Sequence, residues 1–251
     1  MPVLLQTLAS CPIPLPLGRE VPFVDGSRPA MLWCSDEPPT ADLVQQLRAA
    51  HPATGLWPVL LYGDPLELFP DLAGSPDIHD AALVLAGFWH RYTRNGLAST
   101  TSPFGQRWPR IAPAGKPRED PRGCADDLTR ALLDGGRLVD ARLGLVPAVR
   151  GADVLANMGW AGPVNYDNDT AKFSAVLRSW EDRFGVSVVA ANINTLTVSV
   201  AAPPGDLDTA LHLAAEHFAF CPDNLWQSHP HTIGDYAPHL IDARWWTFWW
   251  D

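Results

Sequence analysis

The chain ends in Trp245-Trp246-Thr247-Phe248-Trp249-Trp250, and no other feature narrows its folding as much. Aromatic residues and threonine favour strands. Successive strand side chains point to opposite faces, so this run presents large aromatics on both. It is therefore expected to be a central or covered strand, walled in on each side. A chain of 251 residues can supply the walls, because a domain of that size buries roughly 70% or more of its unfolded surface.

The segments upstream carry matching apolar faces. Phe173, Val176, Leu177, Trp180 and Phe184 recur at helical spacing, with capping oxygens at Asp167-Asn168-Asp169-Thr170 and a stop at Gly185. Arg178 and Asp182, four apart, are expected to pair on the solvated side of this helix. Residues 186–192 and 195–202 read as a hairpin, with Leu196, Val198 and Val200 on one face and Thr195, Thr197 and Ser199 on the other. A second helix, 206–220, buries Leu207, Leu211, Ala214 and Phe218, placing His217 beside the stripe and Glu216 opposite it. Thr232-x-x-Asp235 resembles a capping box that opens a third helix, to about residue 241.

The first 142 residues are less regular, and the chain's 25 prolines account for much of this. Residues 11–22 are proline-dense and should be extended. Residues 30–34 and 56–62 read as strands around a helix capped by Thr40 and stopped at His51-Pro52, a βαβ unit over 30–62. Pro58 makes the second of these strands an edge, or one whose pairing begins late. A helix follows over 78–94. Residues 95–123 read as a long irregular, mobile loop, and 126–133 as a short helix closed by Gly135-Gly136. Strand pieces over 138–149 are broken by Gly144 and Pro147, and 154–158 is a helical turn ended by Gly159. The expected class is α+β: a mixed sheet with helices mainly on one face and the C-terminal aromatic strand in the sheet. The parts 1–142 and 143–251 are compatible with one globule.

Net charge is −10 with a pI near 5.1, which argues against nucleic acid because phosphate binding needs a basic surface. From Gly151 onward there are 4 Lys/Arg against 12 Asp/Glu, so most of the acidity lies in the C-terminal part. That imbalance fits solubility, or recognition of a basic partner. Cys11, Cys34, Cys124 and Cys221 are far apart, with neither zinc nor disulfide spacing. No signal peptide or apolar run of membrane length appears, so the cytoplasm is expected and a membrane is not.

Several chemistries find no support. There is no GxGxxG after a strand, no P-loop, no GxSxG and no HEXXH. His212 and His217 are five apart, about 140° around a helix, so they cannot share a metal. Asp167-x-Asp169 lacks the later ligands of a calcium loop. Cys221 sits at a helix end that raises a thiol's pKa, and reads as a buried structural thiol. No metal or cofactor is expected.

Taken together, Gly159-Trp160, LRSWEDRFG at 177–185, TVSVAAPP at 197–204, AAEHFAFCPDN at 214–224 and the terminal FWWD resemble a bacterial family catalogued as domain of unknown function 4253. The resemblance covers about 143–251 and implies a C-terminal α+β domain and a bacterial source, but no reaction. Glu181, Glu216 and His217 are the catalytic candidates. Arg178, Arg183, Asp223 and Trp160 are the ligand-binding candidates. If the two amphipathic helices share a face of the hairpin, Glu181 or Arg183 approaches His217, either as a buried ion-pair network or as a polar pocket. Two functions follow: a non-catalytic binding or regulatory protein, for example toxin-neutralising, that meets a basic protein or small ligand; or a hydrolase using a Glu/His/Arg pocket.

Overall fold

The computed structural model describes residues 3–26, 28–63, 68–94, 96, 99–138, 140–227 and 229–251. The first elements are α1 (Val3–Ala9), β1 (Gly18–Val21), β2 (Leu32–Ser35), α2 (Ala41–Thr54), β3 (Leu56–Leu61), α3 (Ala81–Thr93) and α4 (Pro121–Leu133). After them come β4 (Arg142–Pro147), α5 (Val154–Met158), α6 (Thr170–Phe184), β5 (Val186–Ala191) and β6 (Thr195–Val200). The chain closes with α7 (Leu207–Phe220), α8 (Asp223–Trp226), α9 (Ile233–Tyr236) and β7 (Trp245–Trp249). One mixed sheet of seven strands, in the order β1-β2-β4-β3-β5-β6-β7, runs through the molecule. The fold is α+β. No helix among the described residues is long and apolar enough to cross a membrane.

The strand-helix-strand unit at 30–62 forms, but its strands are not neighbours. β4 lies between β2 and β3 and is antiparallel to both, so β2 and β3 are parallel across it. Gly144 and Pro147 do not break β4, which pairs with β3 from Arg142 to Pro147. Pro58 sits inside β3, a central strand rather than an edge; the parallel pairing of β3 with β5 begins only at Leu60, past the residue that has no N–H to donate. Nearby, the Trp57 indole N–H donates to Val188 O at 3.0 Å.

Alternation along the strands divides the core. One face, with Leu32, Val59, Leu61, Val188, Val198 and Phe248, packs against the larger group of helices, α3 and α5 to α9. The opposite face, with Trp33, Leu56, Leu60, Leu145 and Val189, packs against α1, α2 and α4. A register shift between Val188 and Ala190 moves β5's inward side chains across the sheet at that point.

β7 corrects the expectation for the terminal run. It is in the sheet but at its edge, and only one face is covered: Trp246 and Phe248 are buried while Trp245 is 47% exposed. The helix over 41–54 passes through Pro52 and ends at Gly55, whose φ of 68° is open to glycine. The helix expected at 126 begins at Pro121, with Asp120 accepting from the Gly123 N–H. The third C-terminal helix is a short α turn capped by Thr232, continued as a 3₁₀ turn to Leu240. Residues 99–120 hold no helix or strand, as expected, but Ala112 is buried and Gly115 N–H donates to Arg183 O at 2.9 Å. Residues 95, 97 and 98 of the expected loop lie outside the described residues.

Candidate functional site

Helices α6 and α7 lie on the same face of the sheet, and the loop around Ala112 crosses their ends. Where the three meet, Glu216 is fully buried, which corrects its expected place opposite the apolar stripe. Its Oε1 accepts from Arg183 Nη1 at 2.8 Å and Ala112 N at 2.6 Å, and its Oε2 from Arg183 Nη2 at 2.6 Å and Trp180 Nε1 at 2.8 Å. Arg183 is as fully engaged, with Nε on Ser179 Oγ and Nη1 also on Ala112 O. A carboxylate saturated in this way, out of water, holds helices in register rather than waiting for a substrate.

His217 follows Glu216 but turns into the aromatic core. Its ring centroid lies 4.6 Å from that of Trp246, 4.8 Å from Phe248 and 5.1 Å from Trp180. Nδ1 is 3.0 Å from the Tyr236 hydroxyl. Burial, reinforced by the Arg183 charge, pushes the imidazole pKa down to about 3, so the ring is neutral near pH 7. The acid–base pair foreseen for a hydrolase is out of solvent's reach.

Glu181 does not join them. It accepts from Arg150 Nε at 2.9 Å, and burial raises its pKa. The expected Arg178–Asp182 pair is absent. Arg178 instead bonds Asp153, with Nη2 to Oδ2 at 3.0 Å, and Asp77, while Asp182 pairs with Arg150. Asp169, expected to cap α6, makes no side-chain cap bond and meets His79 at 3.0 Å. These partners lie 25 or more residues away, two of them, Asp77 and His79, in the N-terminal part, too far along the chain for local spacing to reveal them.

Asp223 and Trp160, both buried, are structural in their contacts. Asp223 accepts from the Tyr166 hydroxyl at 2.6 Å, Gln227 Nε2 at 3.0 Å and Asp251 N at 3.0 Å. Beside it, Asn224 Nδ2 donates to Thr247 O at 2.8 Å, Asn224 Oδ1 accepts from Trp249 N at 3.3 Å, and Cys221 Sγ donates to Trp249 O at 2.9 Å. The Cys-Pro-Asp-Asn segment therefore occupies backbone groups on the free edge of β7. Trp160 donates to Asn192 O at 2.7 Å and packs edge-on against Trp250.

Two surface features bear on recognition. Arg150, Arg178 and Arg183 line an open groove of about 480 Å³ with Asp77, Asp80 and Asp182. Its charges are layered: the Asp77 and Asp182 side chains are 74% and 66% exposed, while Arg178 and Arg150 beneath them are 23% and 32% exposed. Alongside, Ile78 and Leu83 stand 78% and 74% exposed on a neighbouring depression that shares His79 and Asp80. The second feature is a more enclosed cleft of about 540 Å³ at the carboxyl ends of β2 and β3. Four chain-distant segments build it, and no motif points to it. Among the described residues, no three His, Cys, Asp or Glu side chains converge as metal ligands.

Residues 142–251 match the family described as Domain of unknown function (DUF4253). No curated protein and no solved structure matches the chain. The matched region starts at β4, whose strand neighbours among the described residues, β2 and β3, both precede it in the chain.

Proposed function

We propose that this chain is a non-catalytic binding protein that docks a basic, amphipathic segment of another protein on the surface around Ile78 and Leu83. The observation that carries this reading is the pairing of two large exposed aliphatic side chains with an outward acidic rim of Asp77, Asp80 and Asp182. An apolar centre with a charged border suits a partner of opposite charge, which it steers and orients. Within the rim Asp77 pairs with Arg178 and Asp182 with Arg150, but the carboxylates are the outer, more exposed members of those pairs. Exposed Asp80 caps α3, while the nearby cations Arg91 and Lys172 are both held by Asp167. The saturation of Glu216 and the enclosure of His217 weigh against the hydrolase alternative. The free thiols suit a reducing compartment, and we place the protein in the cytoplasm.

The test is fluorescence anisotropy with a labelled helical peptide of leucine and lysine in amphipathic register. Wild type should bind it, and Ile78→Asp/Leu83→Asp should weaken binding at least tenfold. An aspartate version of the peptide should not bind. Equal binding by wild type and the double variant would remove this surface from consideration.

A further inference from the structure

The cleft at the ends of β2 and β3 has one face whose chemistry is consistent. Cross-strand partners share a face, so register assigns each side chain. Arg19 lies opposite Cys34, Val21 opposite Leu32, and Leu61 opposite Arg142. Leu32, Cys34 and Leu61 belong to the face carrying the larger core, which places Arg19, Val21 and Arg142 there too. Glu20 and Ser35, which also border the cleft, alternate to the other face.

The two cations differ. Arg19 is exposed and bonds Asp36 at 2.6 Å. Arg142 is half-buried, and its hydrogen bond is to a carbonyl, Asp140 O at 3.2 Å. Among the described residues it has no carboxylate within ion-pair distance, whereas Arg48, Arg91, Arg118, Arg130, Arg150, Arg178, Arg183 and Arg244 each have one. Asp140 itself is exposed. Of the carboxylates that border the cleft, Asp36 is held by Arg19 and Glu20 alternates to the other face. The half-buried Arg142 guanidinium therefore faces the apolar side chains Val21, Leu32 and Leu61 without an ion pair among the described residues. The volume, about 540 Å³, suits a small molecule.

We infer that this cleft binds a small organic monocarboxylate with an apolar body, its carboxylate on the Arg142 guanidinium and its body on Val21, Leu32 and Leu61. One guanidinium on this face favours a monocarboxylate over a phosphate, and the planar fork of arginine matches a carboxylate with two parallel bonds. This site is separate from the Ile78–Leu83 surface, so either can fail alone.

Octanoate is the probe, titrated by calorimetry into the full-length chain. Binding should be detected for wild type, weaken at least tenfold in Arg142→Gln, and weaken by less in Arg142→Lys, which keeps the charge but loses the two-pronged fork. Octylamine should not bind. In parallel, octanoate should slow alkylation of Cys34, followed by peptide mapping, and leave Cys11 unaffected. No octanoate binding to wild type, equal affinity in Arg142→Gln, or equal binding of octylamine would each overturn the proposal. So would unslowed alkylation of Cys34.

Discussion

Arg183 and Glu216 form a two-pronged ion pair between α6 and α7, Nη1 to Oε1 at 2.8 Å and Nη2 to Oε2 at 2.6 Å, and Glu216 is fully buried. Removing one partner strands the other charge in the interior. Glu216→Leu is therefore expected to lower the unfolding free energy by about 3–5 kcal/mol, as breaking a buried pair does. Arg183→Met/Glu216→Leu should recover part of that loss, because neither charge is then buried alone. Urea denaturation of the three proteins checks both values.

The pH dependence follows from His217. Its folded pKa is depressed to about 3 by burial, below the unfolded value near 6.5. The unfolded chain therefore takes up a proton that the native state refuses. The sign is that stability is full above about pH 6.5 and falls as the pH drops towards 3. The loss is up to about 1.4 kcal/mol per pH unit from this group. Denaturation midpoints between pH 7 and 4 should fall more steeply for wild type than for His217→Phe; parallel curves would contradict the assignment.

Asn224 supplies both a donor and an acceptor to the backbone of β7. Asn224→Ala should cost about 1–3 kcal/mol through unsatisfied groups. It should also accelerate hydrogen exchange at Trp249 and promote association through the bared edge. Exchange mass spectrometry and light scattering report the two effects.

The family-matched region lacks a strand that its own strands pair with in this chain. β4 reaches β5 only through β3, which lies outside residues 142–251. That segment expressed alone should lack a cooperative unfolding transition, and co-expression with residues 1–141 should restore one. Near-ultraviolet circular dichroism, rich in tryptophan signal, distinguishes the cases.

Local rules made part of this fold legible. Gly159 and Gly185 end their helices at φ 68° and 61°, the hairpin turns at Asn192, and Thr232 caps its turn through the Asp235 N–H. Each outcome is decided within a few residues. The rest depended on pairing across the chain. Gly144 and Pro147 look like breakers, but β4 has neighbours on both sides that hold it extended. Arg178 has Asp182 four residues away, yet Asp153 and Asp77, 25 and 101 residues distant, take its donors. Glu216 looked solvated because its loop partner, Ala112, is 104 residues away. Alternation predicts terminal aromatics buried on both faces, because it gives facing but not the sheet's width. β7 is the last strand, and Trp245 stays exposed beside Arg137.

The central claim is that the motif-bearing interior is a scaffold and that recognition occurs on the acidic-rimmed surface at Ile78 and Leu83. Hydrogen exchange of the full chain with and without the leucine–lysine peptide tests it most directly. Protection confined to residues 76–88 and 175–183 is the predicted result. Protection centred on residues 214–224, or no localised protection while the peptide is bound, would contradict it.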